Sequence, residues 1–242
     1  MTPSDDVDAV TAHRARALAD AAETMRIVRE RCVWTQQITH RELVPYLIEE
    51  SHELIDAVES GSRPELREEL GDVLWQVLFH AELASRDAEA PFDIGDVAAD
   101  LTDKMVRRHP HVFAGETADT PERVRELWNA AKAAEKRERV SVLDGVARGM
   151  PALALAQKML GKAAAVGTGP STGSGSAAGP STGSGSAAGI RSEAELGDAL
   201  LRLVAQAREN GWDAERALRE RLRALESEIR TAERRTRPAD AT

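Results

Sequence analysis

Cysteine is nearly absent. Cys32 is the only one in 242 residues, which excludes an intramolecular disulfide and argues against a thiolate zinc site. Aromatic residues amount to 3% (four Trp, three Phe, one Tyr), too few, with sparse β-branched residues, to build a β-sandwich or barrel. No apolar run approaches the roughly 20 residues that cross a bilayer, and the first residues contain no signal-peptide core. A soluble, cytoplasmic protein without a membrane partner is therefore expected. The net charge of −9 excludes a nucleic-acid binder driven by overall charge. It leaves room for a small phosphate-bearing ligand, provided carboxylates gather metal ions and a local basic cluster grips the phosphates. Nucleophile and nucleotide-loop signatures are missing too. The string from Gly161, GKAAAVG, lacks the G-x-x-x-x-G-K-[ST] order of a P-loop, and no G-x-S-x-G or convincing nucleophilic triad occurs. Any chemistry is expected to be metal-assisted attack by water.

What is abundant is Ala, Leu, Glu and Arg, the strong helix formers. Apolar periodicity predicts helices over 8–31, 42–58, from the turn at Gly61 to about 88, 94–108, 121–139 and 151–165, with two more between 192 and 235. Cys32, Trp34 and Thr39 fall in a loop. Gly61 ends one helix, and Ser62 with Glu65 reads as a capping box for the next, with Pro64 in its first turn. Residues 170–179 read PSTGSGSAAG, and 180–189 repeat that decapeptide unchanged. Drift seldom spares a tandem repeat, so an engineered spacer explains it best, ahead of a native low-complexity tract. In either case the expectation is a flexible tether with ends roughly 25 Å apart. An echo crosses it: Glu69-Leu-Gly-Asp72-Val-Leu and Glu195-Leu-Gly-Asp198-Ala-Leu share one string, suggesting two related helical units, the second incomplete.

The most informative acids are Glu49-Glu50-x-x-Glu53 and Glu69-x-x-Asp72. Residues three apart share a helical face, so Glu50 pairs with Glu53 and Glu69 with Asp72. In an antiparallel hairpin turning at residue 61, Glu50 stands level with Asp72 and Glu53 level with Glu69. Four carboxylates beside apolar stripes would repel one another and lose hydration unless a cation joined them. An all-oxygen set suits Mg²⁺ or Mn²⁺. The bland alternative is a solvated acidic face. A di-iron bundle, suggested by Glu49-x-x-His52, would require a second E-x-x-H element, and the sequence has none.

Lys104, Arg107 and Arg108 cluster where a helix ends. They either complement its dipole or grip phosphate, with arginine supplying a two-pronged donor. Trp128 and Lys132 lie four apart on a polar helix. That tryptophan is either a core anchor or a stacking surface for a base, and Trp34 presents the same choice.

Taken together, these strings resemble the MazG-type nucleoside triphosphate pyrophosphohydrolases. The resemblance covers roughly residues 24–162. It rests on Tyr46-Leu-Ile-Glu-Glu-Ser-His-Glu53, Leu66-Arg-Glu-Glu-Leu-Gly-Asp-Val-Leu74, Phe92-Asp-Ile, Asp103-Lys-Met-Val-Arg-Arg-His-Pro-His-Val-Phe113, Trp128 with Lys132, and Pro151-Ala-Leu-x-x-Ala-Gln-Lys158. It implies an all-α, four-helix-bundle-like catalytic unit, normally assembled as a homodimer; with the repeat and the echo, the expected order is that unit over 1–165, a linker over 166–190 and a degenerate helical unit over 191–242. It implies Mg²⁺-dependent cleavage of a nucleoside triphosphate to monophosphate and pyrophosphate, on ordinary, noncanonical or damaged nucleotides. By motif position Glu50, Glu53, Glu69 and Asp72 would ligate metal beside Glu49. Lys104 and Arg108 would hold the triphosphate, while Trp128 and Lys132 would line the nucleotide site; Arg107 and Trp34 join them as substrate-binding candidates from the reading of the residues above. Metal-activated water would attack the α-phosphorus, with the ions neutralising the leaving pyrophosphate.

The family's loop C-P-W-D-x-x-Q-T-H appears here as Cys32-Val-Trp-Thr-Gln-Gln-Ile-Thr-His40, with Val33, Thr35 and Ile38 substituted and His52 where an aromatic is usual. These departures bear on base preference, not on the metal chemistry. A dUTPase-like relative on the same fold is one alternative. A non-catalytic bundle binding nucleotides or a protein is another, although it would have no need of four clustered carboxylates.

Overall fold

The computed structural model describes residues 3–135, 140–168 and 190–236. Among these the chain is all-α, with ten helices and no strand. It divides into two compact units, residues 1–135 and 136–242.

The first unit is organised around α1 (Pro3–Arg31), α3 (His40–Ser60), α4 (Arg63–Ala84) and α5 (Ile94–Arg108), with α7 (Pro121–Ala134) against α5. The α3–α4 hairpin is its most extensive packing. Its turn forms because Gly61 takes the left-handed conformation (φ 76°), which a side chain would strain. The Ser62 hydroxyl then accepts from the Glu65 N–H at 3.4 Å. The return half of the expected capping box is not made: the Glu65 carboxylate lies 3.5 Å from the Ser60 hydroxyl instead. Complete capping boxes start α3, from Thr39 and Glu42, and α5, from Asp93 and Asp96. Met25, Ile38, Leu43, Leu78 and Phe79 form the core, with Trp75, Leu83 and Ile94 around it.

Two short helices fall where loops are expected. In α2 (Val33–Gln37), Thr35 is buried and its hydroxyl donates to the Val28 carbonyl at 2.9 Å. That bond ties the turn back onto the end of α1. In α6 (Pro110–Phe113), proline opens the turn, where its missing N–H costs nothing. The α7 helix ends at Ala134, and residues 136–139, expected to continue it, lie outside the described residues.

The second unit holds α8 (Ala152–Ala165), α9 (Glu193–Glu209) and α10 (Ala214–Thr236). Helix α8, expected within a first domain ending at 165, belongs here. Leu153, Ala156 and Leu160 find their apolar partners in Val204, Ala205 and Ala214. The Gln157 amide bridges the α9–α10 turn, donating to the Trp212 carbonyl at 3.0 Å and accepting from the Ala214 N–H at 3.3 Å. Of the expected linker 166–190, residues 169–189 lie outside the described residues, as do 237–242 at the far end. Among the described residues no helix is long and apolar enough to cross a membrane.

Candidate functional site

The α3–α4 hairpin brings Glu50, Glu69 and Asp72 together, each offering a carboxylate oxygen within 4.8 Å of the others. It is the one group of this kind among the described residues. Glu50 and Glu69 are half-buried and Asp72 is exposed. Glu53 stands outside this trio and is exposed, but its charge reaches both half-buried acids. Partial burial first, then the charges of Asp72, Glu53, Glu69 and Glu49, push the Glu50 carboxyl above its ordinary range. Glu69 is pushed the same way, by burial and then by Glu53 and Asp72. One Glu69 oxygen, Oε2, is buried without a hydrogen-bond donor.

Among the described residues no lysine or arginine pairs with any of these four acids. Such a set of converging, uncompensated oxygens fits a hard divalent cation. Gly71 lies beside them, yet a Cβ there would meet nothing within 4 Å. No close approach of a neighbouring helix therefore requires the glycine.

The basic residues are organised separately, at the α5–α7 contact. Arg108 is buried, with its guanidinium 5.2 Å from the centre of the Trp128 ring. Its Nε and Nη2 both donate to Oε2 of Glu135, at 3.1 and 2.6 Å. Arg107 Nε lies 3.4 Å from the other oxygen of the same carboxylate. His109 meets the Trp128 ring edge-on at 5.1 Å, and its Nδ1 lies 2.7 Å from the Met105 carbonyl, so this histidine is engaged locally. Lys104 is half-buried and makes no hydrogen bond or ion pair among the described residues, whereas Lys132 is engaged.

Trp34 stands apart from both groups. It is 53% exposed and set edge-on to Tyr46 at 5.9 Å and to Phe79 at 6.3 Å. With Gln37, Ile38, Glu42 and Tyr46 it lines a cleft of about 310 Å³. It is exposed yet in ring contact with the core residue Phe79, so it serves as anchor and surface together. Glu49 is exposed, and its charge is among those that push the Glu50 carboxyl up.

The MazG nucleotide pyrophosphohydrolase domain matches residues 38–113. A nucleoside triphosphate pyrophosphohydrolase of Escherichia coli is 35% identical over 214 residues, covering 84% of this chain and 81% of its own. The chain belongs to the MazG family. An uncharacterized 26.1 kDa protein of Streptomyces cacaoi is 45% identical over 219 residues, covering 89% of this chain and 82% of its own. A nucleoside triphosphate pyrophosphohydrolase of Mycobacterium tuberculosis is 47% identical over 161 residues. That match covers 66% of this chain and 49% of the relative, so the chain spans about half of that protein.

The matched MazG stretch contains the acidic hairpin and Lys104 through Arg108. Trp34 precedes it, and Trp128, Lys132 and Glu135 follow it. Two features of the site escape a reading by motif. Glu135, the partner of both arginines, belongs to none of the strings. Gln76, four residues beyond Asp72 on the same face of α4, is buried with its Oε1 unbonded. The i, i+4 spacing from Asp72 was the available signal for Gln76; for Glu135 there was none.

Proposed function

We propose that this chain hydrolyses nucleoside triphosphates, ribo or deoxy, to the monophosphate and pyrophosphate, with Mg²⁺ as the metal and Mn²⁺ able to replace it. The observation that carries the reading is the trio Glu50, Glu69 and Asp72 within 4.8 Å, with a buried, donorless Glu69 oxygen. These three and Glu53 would hold the metal, with Glu49 contributing negative charge beside them. When bound, the cation supplies a lowered pKa for water and charge neutralisation on the phosphates.

The chain's own residues divide the remaining work. Lys104 offers a free ammonium to the triphosphate, and Arg108 a fixed guanidinium with Arg107 next to it. Trp128 backs Arg108, Lys132 adds a cation on the same helix, and Trp34 presents an apolar face for a base. Holding the phosphate chain while the acids orient the attacking water is chiefly a positioning contribution.

The active form is proposed to be a homodimer. The α3–α4 hairpin exposes Val44, Ile48, Leu70, Leu74 and Val77, apolar side chains at three- and four-residue spacings along their helices, which a second copy of the chain would cover. An enzyme acting on free nucleotides would work in the cytoplasm, where Cys32 would stay a thiol.

The test is pyrophosphate release from a panel of NTPs and dNTPs, with Mg²⁺ and with EDTA, for the wild type and Glu53→Gln. Metal-dependent formation of monophosphate and pyrophosphate, lost in the variant, is the expected result. Folded protein that releases neither product from any nucleotide would overturn the reading and leave a binding bundle in its place.

A further inference from the structure

Glu135 closes α7 as its C-cap residue. A carboxylate is disfavoured at that end of a helix, where the dipole is negative. A cation would suit the position better, so local preference does not account for it. Its tertiary contacts do. Glu135 reaches back 27 residues to take Nε and Nη2 of Arg108 on one oxygen, and Arg107 on the other. These contacts hold its carboxyl below the ordinary range, the Arg108 hydrogen bond above all, so it stays ionised at neutral pH.

We propose that Glu135 is a positioning residue for the triphosphate grip, fixing Arg108 so that its Nη1 is presented to a phosphate. The inference rests on the reading above that Arg108 binds substrate. A guanidinium has two long edges and a flat face. Here Glu135 occupies the edge formed by Nε and Nη2, and the guanidinium carbon lies over the Trp128 ring, 5.2 Å from its centre. Nη1 is left without a hydrogen bond among the described residues. An arginine whose only duty was to join α5 to α7 would not need one end kept open. A buried arginine held on two sides has also lost its rotamer freedom in advance. It binds an anion without paying that entropy again.

The experiment is a double-mutant cycle read in KM and kcat, using Mg²⁺ and the best nucleotide of the panel, on the full chain. Glu135→Gln is expected to raise KM about tenfold, corresponding to ~1.4 kcal/mol, with kcat within about twofold. Glu135→Asp, which keeps the charge, is expected to recover part of the loss. Arg108→Ala is expected to raise KM at least as much, and Glu135→Gln added to it should change KM by less than about twofold, because its effect passes through Arg108.

An unchanged KM in Glu135→Gln beside a raised one in Arg108→Ala would overturn the positioning role alone. So would independent, multiplicative effects of the two substitutions. An unchanged KM in Arg108→Ala would overturn the phosphate-grip reading itself. If Glu135→Gln fails to fold, Glu135→Asp in both Arg108 backgrounds gives the same comparison.

Discussion

Glu50 and Asp72 face each other across the α3–α4 hairpin, their carboxylate oxygens within 4.8 Å on either side of a turn built on Gly61. Like charges that close are tolerated at a cost that a cation removes. Mg²⁺ is therefore expected to raise the Tm of metal-stripped protein. A concentration about 100 times Kd stabilises by ~2.7 kcal/mol. Thermal unfolding across a Mg²⁺ titration checks this without any turnover, and a Tm indifferent to Mg²⁺ would speak against the site.

The raised pKa of Glu69 has a definite sign. A carboxyl that protonates more readily in the folded state favours folding below its ordinary value near 4.3, and that contribution is lost as pH rises through the raised value. Metal-free protein at neutral pH therefore carries a destabilising charge at this position. Glu69→Gln is expected to raise the Tm of the metal-free protein while lowering turnover about 100-fold or more. Melting curves in EDTA and activity in Mg²⁺ test the two halves separately.

His40 and His80 stack with their rings 5.1 Å apart and 7° from parallel, Nδ1 to Nδ1 at 2.8 Å. One nitrogen must donate and the other accept, so both rings cannot be cationic without losing the bond. Burial, then the His40 ring, pushes the His80 pKa down. Folded protein thus binds fewer protons than unfolded protein below the ordinary histidine value of about 6.5. Stability present above that value is lost as pH falls. Denaturant melts at pH 7.5 and 5.5 should differ more for wild type than for His80→Gln.

Glu195 repeats the position of Glu69 in the shared string, but its carboxylate turns back to accept the Arg191 N–H at 2.7 Å, while Ser192 caps the Glu195 N–H at 3.2 Å. It is a helix-starting residue. Glu195→Ala is expected to leave turnover within about twofold and to cost ~0.5–1 kcal/mol of stability, the scale of a lost cap. A large fall in kcat would restore a catalytic role to the second unit.

Trp34 forms one wall of its cleft. Trp34→Ala is expected to raise KM roughly tenfold, within the range of one stacked base, with Trp34→Phe close to wild type. Steady-state kinetics on purine and pyrimidine triphosphates would show the loss, and an unaffected KM would assign Trp34 to the core alone.

Much of this was legible from residue order. Helical periodicity acts over three or four residues, and a two-residue turn makes the positions on either side of it mirror one another. The facing of Glu50 and Asp72 could therefore be derived before any packing was known, whereas the expected level pair of Glu53 and Glu69 did not bring Glu53 into the trio. The same local rules located α5 between Ile94 and Arg108, and the absence of strands among the described residues follows from composition. Where competing local contacts decide, those rules lose resolution. Glu65 turned toward Ser60 instead of closing its box, and a single buried hydroxyl on Thr35 made a helix of a loop.

Tertiary structure alone chose the partners. The shared E-L-G-D-x-L string leaves Glu69 with a buried, donorless oxygen and Glu195 bonded to the backbone. The difference is that one lies inside a packed hairpin and the other begins a helix. Glu53 shares a face with Glu50 yet stands outside the trio, because a common face does not set how far each side chain extends. Arg108 waits for Glu135, His40 for His80, and α8 for α9. Each pair is far apart in the chain, and burial of Met25, Leu43 and Phe79 in one unit and of Leu160 and Val204 in the other governs which helices meet. Charge and spacing are properties of the chain; the compensation of a buried charge depends on whichever helix the apolar core places beside it.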